Sequence, residues 1–236
     1  MIRIAYILMR LFFRLPGYYF GVKKYARNKD KYSYEERYNF IRKICRRALR
    51  SCRTRPIITG TENIPTEGAF LVTPNHQGMY DILLMFEVME HPFKIIPKKE
   101  LLDVIAVGDA LRFLEYPAID RQNLRQAVKV IRQARKEMEE GMPYVIYPEG
   151  TRSKKGNTLL DFKSGTFRAG MDAKVPIIPA AIMNSFKVIE ENNLKKVEVE
   201  LHFFEPIMPE DYANMKSDDL ALKVHDQIQV YIDEHA

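Results

Sequence analysis

From Pro56 to the C-terminus, short apolar segments alternate with longer segments of helical periodicity, and this alternation limits the possible folds most strongly. Short apolar runs bounded by turn residues are typical of buried strands, and apolar residues at three- and four-residue steps are typical of helices. Strands that alternate with helices predict an α/β fold, an αβα sandwich around a mostly parallel sheet. The predicted strands are 56–60, 69–73, 93–97, 143–147, 176–182 and 196–204, and the predicted helices are 79–90, 98–107, 123–140, 164–172 and 217–234.

The last predicted strand also indicates its own position in the sheet. Val197, Val199 and Leu201 alternate with polar residues, so one face is apolar and the other meets water. Such alternation is typical of a strand near a sheet edge. Gly141 predicts the end of helix 123–140, and Ser217 predicts the start of the last helix.

The charge divides the chain into two predicted domains, a basic arm at 1–55 and the α/β domain at 56–236. The arm contains 16 lysines and arginines and three acidic residues, a net formal charge of +13, whereas the rest of the chain carries −7. This asymmetry predicts a polyanionic partner for the arm, either nucleic acid or an anionic membrane. Only two cysteines, Cys45 and Cys52, are present, which favours a reducing compartment.

The first arm segment, residues 2–15, predicts a helix with a narrow basic stripe on a wide apolar surface. Arg3, Arg10 and Arg14 fall within roughly 20° of one angular position at helical spacing. The segment is shorter than the about 20 apolar residues that a spanning helix needs, and Pro16-Gly17 is expected to end it. A signal peptide is the alternative, but the segment has no small-residue cleavage site. The pattern favours an interfacial helix whose arginines reach lipid phosphates.

A second arm helix is predicted to begin at Ser33, which forms an S-x-x-E capping box with Glu36. One side is apolar and the remainder is rich in arginine, so either an interfacial helix or an ordinary helix with a solvated basic face fits. No zinc-finger, RNA-recognition or helix-turn-helix signature is present, so a nucleic-acid partner is not expected. The arm therefore predicts a peripheral or monotopic protein on an anionic membrane, at the cytoplasmic face of the cell membrane.

The loop Thr73–Asp81 holds a candidate general base. His76 needs a fixed tautomer to accept a proton, and a carboxylate on its far nitrogen provides one. Five residues along a straight helix would turn His76 and Asp81 about 140° apart. If His76 lies in the loop and Asp81 in the first helical turn, the two side chains can meet. The alternative is a purely structural His–Asp pair.

A second polar loop, Tyr147-Pro148-Glu149-Gly150-Thr151-Arg152-Ser153, follows another predicted strand. Gly150 lets backbone amides approach a ligand closely, and Arg152 adds a planar anion-binding group. The alternative is a surface turn that contains an arginine. No cluster of histidine, cysteine and carboxylate residues has metal-ligand spacing, so no metal is expected.

Together these motifs resemble the glycerolipid acyltransferase family, in particular its lysophosphatidate (1-acylglycerol-3-phosphate) acyltransferases. N-H-Q-x-x-x-D at 75–81 and Y-P-E-G-T-R-S at 147–153 resemble its first and third motifs in order and separation. The resemblance covers roughly residues 56–185. Further resembling segments are Lys98-Lys99-Glu100-Leu101, Asp120-Arg121, Phe162–Phe167 and Val175–Ala180.

The resemblance implies a glycerol-3-phosphate acyltransferase-like fold with an N-terminal two-helix membrane anchor. It also implies transfer of an acyl group from acyl-CoA or acyl carrier protein to the sn-2 hydroxyl of 1-acylglycerol-3-phosphate, with the thioester as substrate and no cofactor. His76 would be the base, oriented by Asp81. The implied substrate-binding residues are Lys98, Arg121 and Arg152 at the acceptor phosphate, and Glu149, Gly150 and Thr151 at the glycerol.

The chain departs from the family pattern at several positions. Glu115 and Pro117 stand where the second motif usually has Gly and Phe, and Ile105 stands at a position often held by Pro. Glu115 would place a negative charge close to the expected phosphate site. These departures leave three other acceptors open, namely glycerol-3-phosphate, another lysophospholipid or a lyso-amino lipid. The alternative from a different class is a non-catalytic membrane-binding module.

Overall fold

The computed structural model of the protein describes residues 2–191 and 193–235. Its centre is a six-stranded sheet made of β1 (Thr54–Thr59), β2 (Leu71–Pro74), β3 (Lys94–Ile95), β4 (Tyr144–Val145), β5 (Ile177–Met183) and β6 (Val197–Phe203). The strand order is β1-β6-β5-β2-β4-β3, and every neighbouring pair is parallel except β5 and β6. The sheet is mixed and mostly parallel, and the six predicted strand positions are confirmed.

Helices cover both faces of this sheet. They are α1 (Ile2–Leu11), α2 (Leu15–Arg27), α3 (Tyr34–Ser51), α4 (Tyr80–Val88), α5 (Val107–Phe113), α6 (Leu124–Glu139), α7 (Ser164–Ala173), α8 (Lys187–Glu190), α9 (Pro209–Tyr212) and α10 (Ser217–His235). Short 3-10 turns occupy Lys29–Lys31, Thr61–Asn63 and Lys99–Asp103.

The side chains on the two faces of the sheet pack into two separate apolar cores, because successive side chains of a strand point to opposite sides. Val72 and Ile178 join the core beneath α3, α4 and α5. Leu71 and Ile177 join the core beneath α6, α7 and α10. The result is a three-layer α/β arrangement in which the loops after β2 and β4 leave neighbouring, parallel strands at the same edge.

The helix predicted at 98–107 is wrong. The chain instead forms the 3-10 turn Lys99–Asp103, and α5 starts only at Val107. Ala106, just before α5, has a φ of 64°, which breaks any continuous right-handed helix at that point. Lys98 itself is extended and forms an isolated parallel bridge with Ile119.

The arm contains three helices rather than the two predicted. The helix expected over 2–15 ends at Leu11, and Pro16-Gly17 does not break a helix but lies in the first turns of α2. Proline is well placed there because its missing N–H would have no partner in a first helical turn. The capping box that begins α3 is confirmed: Ser33 Oγ accepts from the Glu36 amide at 3.1 Å, and Glu36 Oε2 accepts from the Ser33 amide at 2.7 Å.

Arg3 was expected to face lipid, and that prediction is wrong. Its side chain is fully buried and donates to the carbonyl of Cys52 at 3.0 Å, to the carbonyl of Lys195 at 2.8 Å and to Asn193 Oδ1 at 3.3 Å. Arg10 and Arg14, the other two arginines of the predicted stripe, are exposed. Arg3 is therefore a latch that fastens α1 to the α/β domain.

The basic side of α3 is also partly turned toward the protein. Arg37 is buried and donates to the carbonyl of Phe113, and Arg42 donates to the carbonyl of Phe86 at 3.1 Å. Arg46 forms a two-pronged pair with Glu87 of α4 at 2.9 and 3.1 Å. These basic residues, expected to meet lipid headgroups, therefore hold α3 on α4 and α5 instead.

Two further properties of the described residues bear on the arm. No helix among them is both long enough and apolar enough to cross a membrane. Cys45 and Cys52 are free thiols on the apolar side of α3, where burial raises the pKa of Cys52 to about 11.

Candidate active site

At the start of the loop after β2, the side chain of Asn75 replaces the backbone in hydrogen bonds to the neighbouring strand. Pro74 has no N–H to donate, and the next residue, Asn75, pairs its amide group with the β5 backbone. Asn75 Nδ2 donates to the carbonyl of Ile182 at 3.0 Å, and the Ile182 amide donates to Asn75 Oδ1 at 2.6 Å. The buried Asn75 side chain thus fixes where the next residue, His76, leaves the sheet.

His76 and Asp81 meet as the loop-to-helix geometry requires. Asp81 lies in the first turn of α4, and its Oδ2 is 2.7 Å from His76 Nδ1. The same oxygen accepts from the backbone amides of Gln77 at 2.8 Å and Gly78 at 3.0 Å. Because all these contacts need an acceptor, Asp81 is a carboxylate and His76 carries its proton on Nδ1. In the neutral imidazole this leaves the lone pair on Nε2, which has no partner among the described residues.

A second layer of polar side chains, which the sequence did not predict, supports this pair. Ser185 follows β5 and donates its hydroxyl to Asp81 Oδ1. Gln77 Oε1 accepts from the Ser185 amide at 3.0 Å, and Gln77 Nε2 donates to Asn157 Oδ1 at 2.9 Å. The position of Ser185 after a strand parallel to β2 was the one available signal, since parallel neighbours end at the same edge.

Tyr147, at the end of β4, stacks on the imidazole of His76. The ring centroids are 4.2 Å apart and the planes lie 27° from parallel. The Tyr147 hydroxyl is buried without a hydrogen-bond partner, and burial, with the nearby Asp81 charge, raises the pKa of Tyr147 well above its ordinary value. The stack covers one face of His76, whose side chain is 20% exposed in total.

Glu149 does not reach outward to position glycerol, as the resemblance implied. It is buried, and its Oε1 accepts from the His76 amide at 2.6 Å while its Oε2 accepts from the Leu160 amide at 3.1 Å. Burial raises the pKa of Glu149 to about 7. Glu149 therefore ties the loop after β4 to the loop that carries His76, and the Ser153 amide adds a third tie by donating to the carbonyl of His76 at 2.9 Å.

Gly150 allows this close approach. Its φ of 68° is in the left-handed region, and a Cβ at this position would lie 2.9 Å from Lys163 Nζ. Lys163 therefore covers the glycine, and its amide donates to the carbonyl of Pro148 at 2.9 Å. Thr151 and Arg152 follow directly and are exposed.

The structure brings two of the predicted anion-binding residues together. Partial burial lowers the pKa of Arg121, the charge of Glu100 opposes this, and the charge of Arg152 contributes a smaller lowering, so the two guanidinium groups are within electrostatic reach of each other. Neither guanidinium has a hydrogen-bond or ion-pair partner among the described residues, and neither do the amides of Thr151 and Arg152. Lys98 is also exposed, but it pairs with Glu100 at 2.9 Å. The arrangement is a concentration of unpaired positive charge and free N–H groups, which suits an anion.

Glu115 was expected to place a negative charge close to the phosphate site, but its side chain is engaged with the arm. Its carboxylate pairs with Lys29 of the arm and lies 3.8 Å from Arg37. These cations, with Lys29 contributing most, lower the pKa of Glu115. Its charge is thus balanced by the arm. Within the described ranges, no group of three or more histidine, cysteine or acidic residues could hold a metal ion.

Comparison with known proteins places this geometry in context. Residues 55–183 match the family model described as acyltransferase. A 1-acyl-sn-glycerol-3-phosphate acyltransferase of Haemophilus influenzae is 30% identical over 161 residues, 68% of this chain and 67% of that one. The corresponding protein of Borreliella burgdorferi is 28% identical over 174 residues, 73% of this chain and 69% of that one. A probable one from Mycoplasma pneumoniae is 28% identical over 222 residues, 88% of this chain and 82% of its own length.

A solved structure matches nearly the whole chain. The crystal structure of the 1-acyl-sn-glycerophosphate (LPA) acyltransferase PlsC from Thermotoga maritima is similar with a TM-score of 0.75 and 24% identity, over 99% of this chain and 97% of that one. The likeness in fold therefore extends through the arm helices as well as the α/β domain.

Proposed function

This chain belongs to the acyltransferase family, and from that premise we propose that it transfers a fatty acyl group from a thioester to the sn-2 hydroxyl of 1-acylglycerol-3-phosphate, giving phosphatidate for phospholipid synthesis. The observation that carries the proposal is the contact between His76 Nδ1 and the buried Asp81 carboxylate. It is supported by Arg152, next to the Ser153 amide that bonds to the His76 carbonyl, and by Arg121 within electrostatic reach of Arg152. An oriented base and an anion site are what this acceptor needs. Several curated relatives carry the corresponding name.

The reaction follows from the tautomer that Asp81 selects. The acceptor hydroxyl gives its proton to His76 Nε2 as its oxygen attacks the thioester carbonyl. The tetrahedral intermediate then collapses, the C–S bond breaks, and the proton passes from His76 to the departing sulfur. A thiol with a pKa of about 8.5 is a good leaving group, so a separate acid is not required. No cofactor takes part.

The acceptor phosphate is held by Arg121 and Arg152, with Lys98 at the margin because Glu100 already pairs with it. A guanidinium binds phosphate oxygens through two parallel N–H groups, which fixes the acceptor's orientation as well as its position. The free amides of Thr151 and Arg152 are available to the phosphate or to the oxyanion of the intermediate. Glu149 and Gly150 serve this site by positioning the two loops.

The donor is acyl-CoA or acyl carrier protein, and the reaction takes place on an anionic membrane, at the cytoplasmic face of the cell membrane. Support comes from the turn between α1 and α2, where Phe12 and Phe13 are exposed, Phe13 to 92%. Arg10 and Arg14 lie beside them and are exposed too. Apolar side chains next to arginines suit the interface of an anionic bilayer, where the helices lie in the membrane plane.

An acceptor panel tests the proposed function. Purified full-length protein is given acyl-CoA or acyl carrier protein thioester, and thiol release is measured with 1-acylglycerol-3-phosphate, glycerol-3-phosphate, other lysophospholipids and lyso-amino lipids. We expect 1-acylglycerol-3-phosphate to give the highest kcat/KM. His76→Ala should lower turnover by about 10²–10⁴-fold, the usual loss for a general base, while circular dichroism stays unchanged.

Each other outcome has a distinct meaning. A faster rate with another acceptor would show that the chemistry is right and the acceptor wrong. Near-normal turnover by folded His76→Ala would remove the catalytic role of His76. Thiol release that no acceptor raises above the His76→Ala level would favour a non-catalytic membrane-binding module.

A further inference from the structure

The segment between the 3-10 turn Lys99–Asp103 and α5 exposes apolar side chains on the α/β domain itself. We refer to residues 104–107 as the 104–107 turn. Val104, Ile105 and Val107 are all exposed, and Ile105 is exposed to 78%. Several exposed aliphatic residues that are neighbours along the chain form an apolar patch, and such a patch indicates a contact surface.

The backbone holds these side chains outward. Ala106 has a φ of 64° and a ψ of −37°, a conformation that residues with a Cβ rarely adopt. The Gly108 amide donates to the carbonyl of Val104 at 2.8 Å, and Arg112 Nη2 donates to the carbonyl of Leu102 at 2.8 Å. A Cβ on Gly108 would lie 1.9 Å from the Leu102 carbonyl oxygen, so the chain is closely packed beneath the turn. The exposure of Ile105 is thus built into a fixed turn.

The 104–107 turn lies beside α2 of the arm, across a groove that has both apolar and charged side chains. Tyr19 of α2 lines one groove together with Val104 and Ile105. An ion pair of 2.6 Å between Lys23 of α2 and Asp109 of α5 fastens the two elements beside this groove. Phe20, next to Tyr19 on α2, is also exposed. Arm and α/β domain therefore present apolar side chains side by side.

The charges around the groove indicate whether the turn makes an electrostatic or an apolar contact. Asp109 is paired with Lys23 and lies 3.9 Å from Arg112, whereas Asp103 has no ion-pair partner among the described residues. The turn itself is therefore not a basic site, and its contribution is apolar. Lys24 and Arg27 of α2 are exposed nearby along the chain and supply the attraction to anionic headgroups.

We propose that the 104–107 turn is a second membrane contact, which inserts Ile105 into the bilayer interface beside α2. This inference rests on the proposed membrane function of the arm and extends it to the α/β domain. The segment that leads into the turn is close to the anion site at two points. The charge of Glu100 acts on Arg121, and the backbone of Lys98 forms a parallel bridge with Ile119, two residues before that arginine. Two contacts, one on each domain, fix the orientation of the molecule and hold the anion site near the lipid surface.

Site-specific labelling gives a direct test. In full-length protein carrying Cys45→Ala and Cys52→Ala, a single cysteine at position 105, 13 or 222 is labelled with an environment-sensitive fluorophore. Position 222 is the matched control, because Leu222 is 62% exposed but lies on α10, across the sheet from α5. With vesicles of equal parts phosphatidylcholine and phosphatidylglycerol, we expect blue shifts and quenching by lipid-linked quenchers at 105 and 13, and neither at 222.

A pair of charge substitutions measures the contribution of the turn. We expect Ile105→Glu to weaken vesicle binding about tenfold, which corresponds to about 1.4 kcal/mol, and Leu222→Glu to leave it unchanged. Added salt should weaken vesicle binding by both proteins and leave part of the difference between them, because salt screens the repulsion of the introduced carboxylate but not the loss of apolar insertion. Activity on a short-chain, water-soluble acceptor reports that each variant is folded.

The outcomes separate this inference from the proposed function. A label that stays in water at 105 while the label at 13 enters the bilayer would overturn the second contact and leave the arm's role intact. If both labels stay in water, the membrane role of the arm fails as well. A blue shift at 105 without vesicles, with a doubled molecular mass, would assign the turn to an interface between two copies and overturn the inference.

Discussion

At the scale of single residues, the Asp81 carboxylate organises the candidate site because it binds the imidazole and the loop that carries it at the same time. One of its oxygens accepts from His76 Nδ1 and from the amides of Gln77 and Gly78. The short spacing made this pair predictable from the sequence. Ser185 and Asn157 were not predicted, because their place in the site depends on which strands are neighbours in the sheet. The position of Ser185 just after a strand was a signal only once that order was known.

The two unpaired arginines lead to a prediction about substrate affinity. We expect Arg121→Ala and Arg152→Ala each to raise the acceptor KM far more than the donor KM, since a lost charge-assisted hydrogen bond costs about 1.5–3 kcal/mol. Steady-state kinetics with each substrate varied in turn provide the measurement. Arg132→Ala, an exposed arginine on α6, is the control. A rise in the donor KM alone would mean that the arginines bind the donor's phosphates.

Glu149 leads to a prediction about stability and pH. Burial raises the pKa of Glu149 from 4.5 to about 7, so between these values the unfolded chain releases the proton while the folded chain keeps it. The contribution of this group to stability therefore falls as the pH rises through that window. The glutamine side chain in Glu149→Gln cannot ionise. It has one acceptor oxygen where Glu149 has two, so its NH₂ group faces a backbone amide that loses its acceptor.

We expect Glu149→Gln to be less stable than wild type below pH 4.5 and the deficit to shrink as the pH approaches 7. Denaturant unfolding across this range measures the difference. A deficit that grows with pH would contradict the argument, because it would mean that the carboxylate is already ionised in the folded protein.

At the scale of elements, the arm shows what helical periodicity can and cannot establish. The periodicity of residues 2–15 identified a helix and its basic stripe, but it did not show what the stripe contacts. Arg3 meets backbone carbonyls of residues far along the chain, whereas Arg14 is exposed. Likewise, the apolar content of 98–107 suggested a helix, and the positive φ of Ala106 was not visible in the residue type.

The Arg3 latch leads to a prediction about the docking of α1. We expect Arg3→Met to lower the free energy of unfolding by about 1.5–3 kcal/mol, because the carbonyls of Cys52 and Lys195 lose their donor. Hydrogen exchange should accelerate in α1 and at 193–195. Arg14→Met removes an exposed charge from the same region and serves as the control. Equal exchange in both variants would show that Arg3 does not hold the helix.

At the scale of the whole molecule, the three-layer α/β arrangement could be predicted from the alternation of strands and helices alone. The antiparallel pairing of β5 and β6 could not, because β6 also pairs in parallel with β1 and its alternation does not show which neighbour runs the other way. The net charge of +13 on residues 1–55 does not show which of these basic residues face solvent and which contact the protein. Arg37, Arg42 and Arg46 direct their charges to the protein, so the basic surface available to a membrane is smaller than +13 suggests.

The pairing of β1 with β6 has a consequence for how the chain folds as it is synthesised. β1 lies at the edge of the sheet, and its neighbour there is β6, whose residues leave the ribosome about 140 positions later. The contacts of the Arg3 latch also cannot be complete until Lys195 has been synthesised. Throughout most of translation, the exposed apolar helices of the arm therefore emerge ahead of the elements that anchor them. On the proposed membrane role of the arm, the nascent chain can engage the bilayer before the α/β domain is complete, so that the candidate site would form already at the lipid surface.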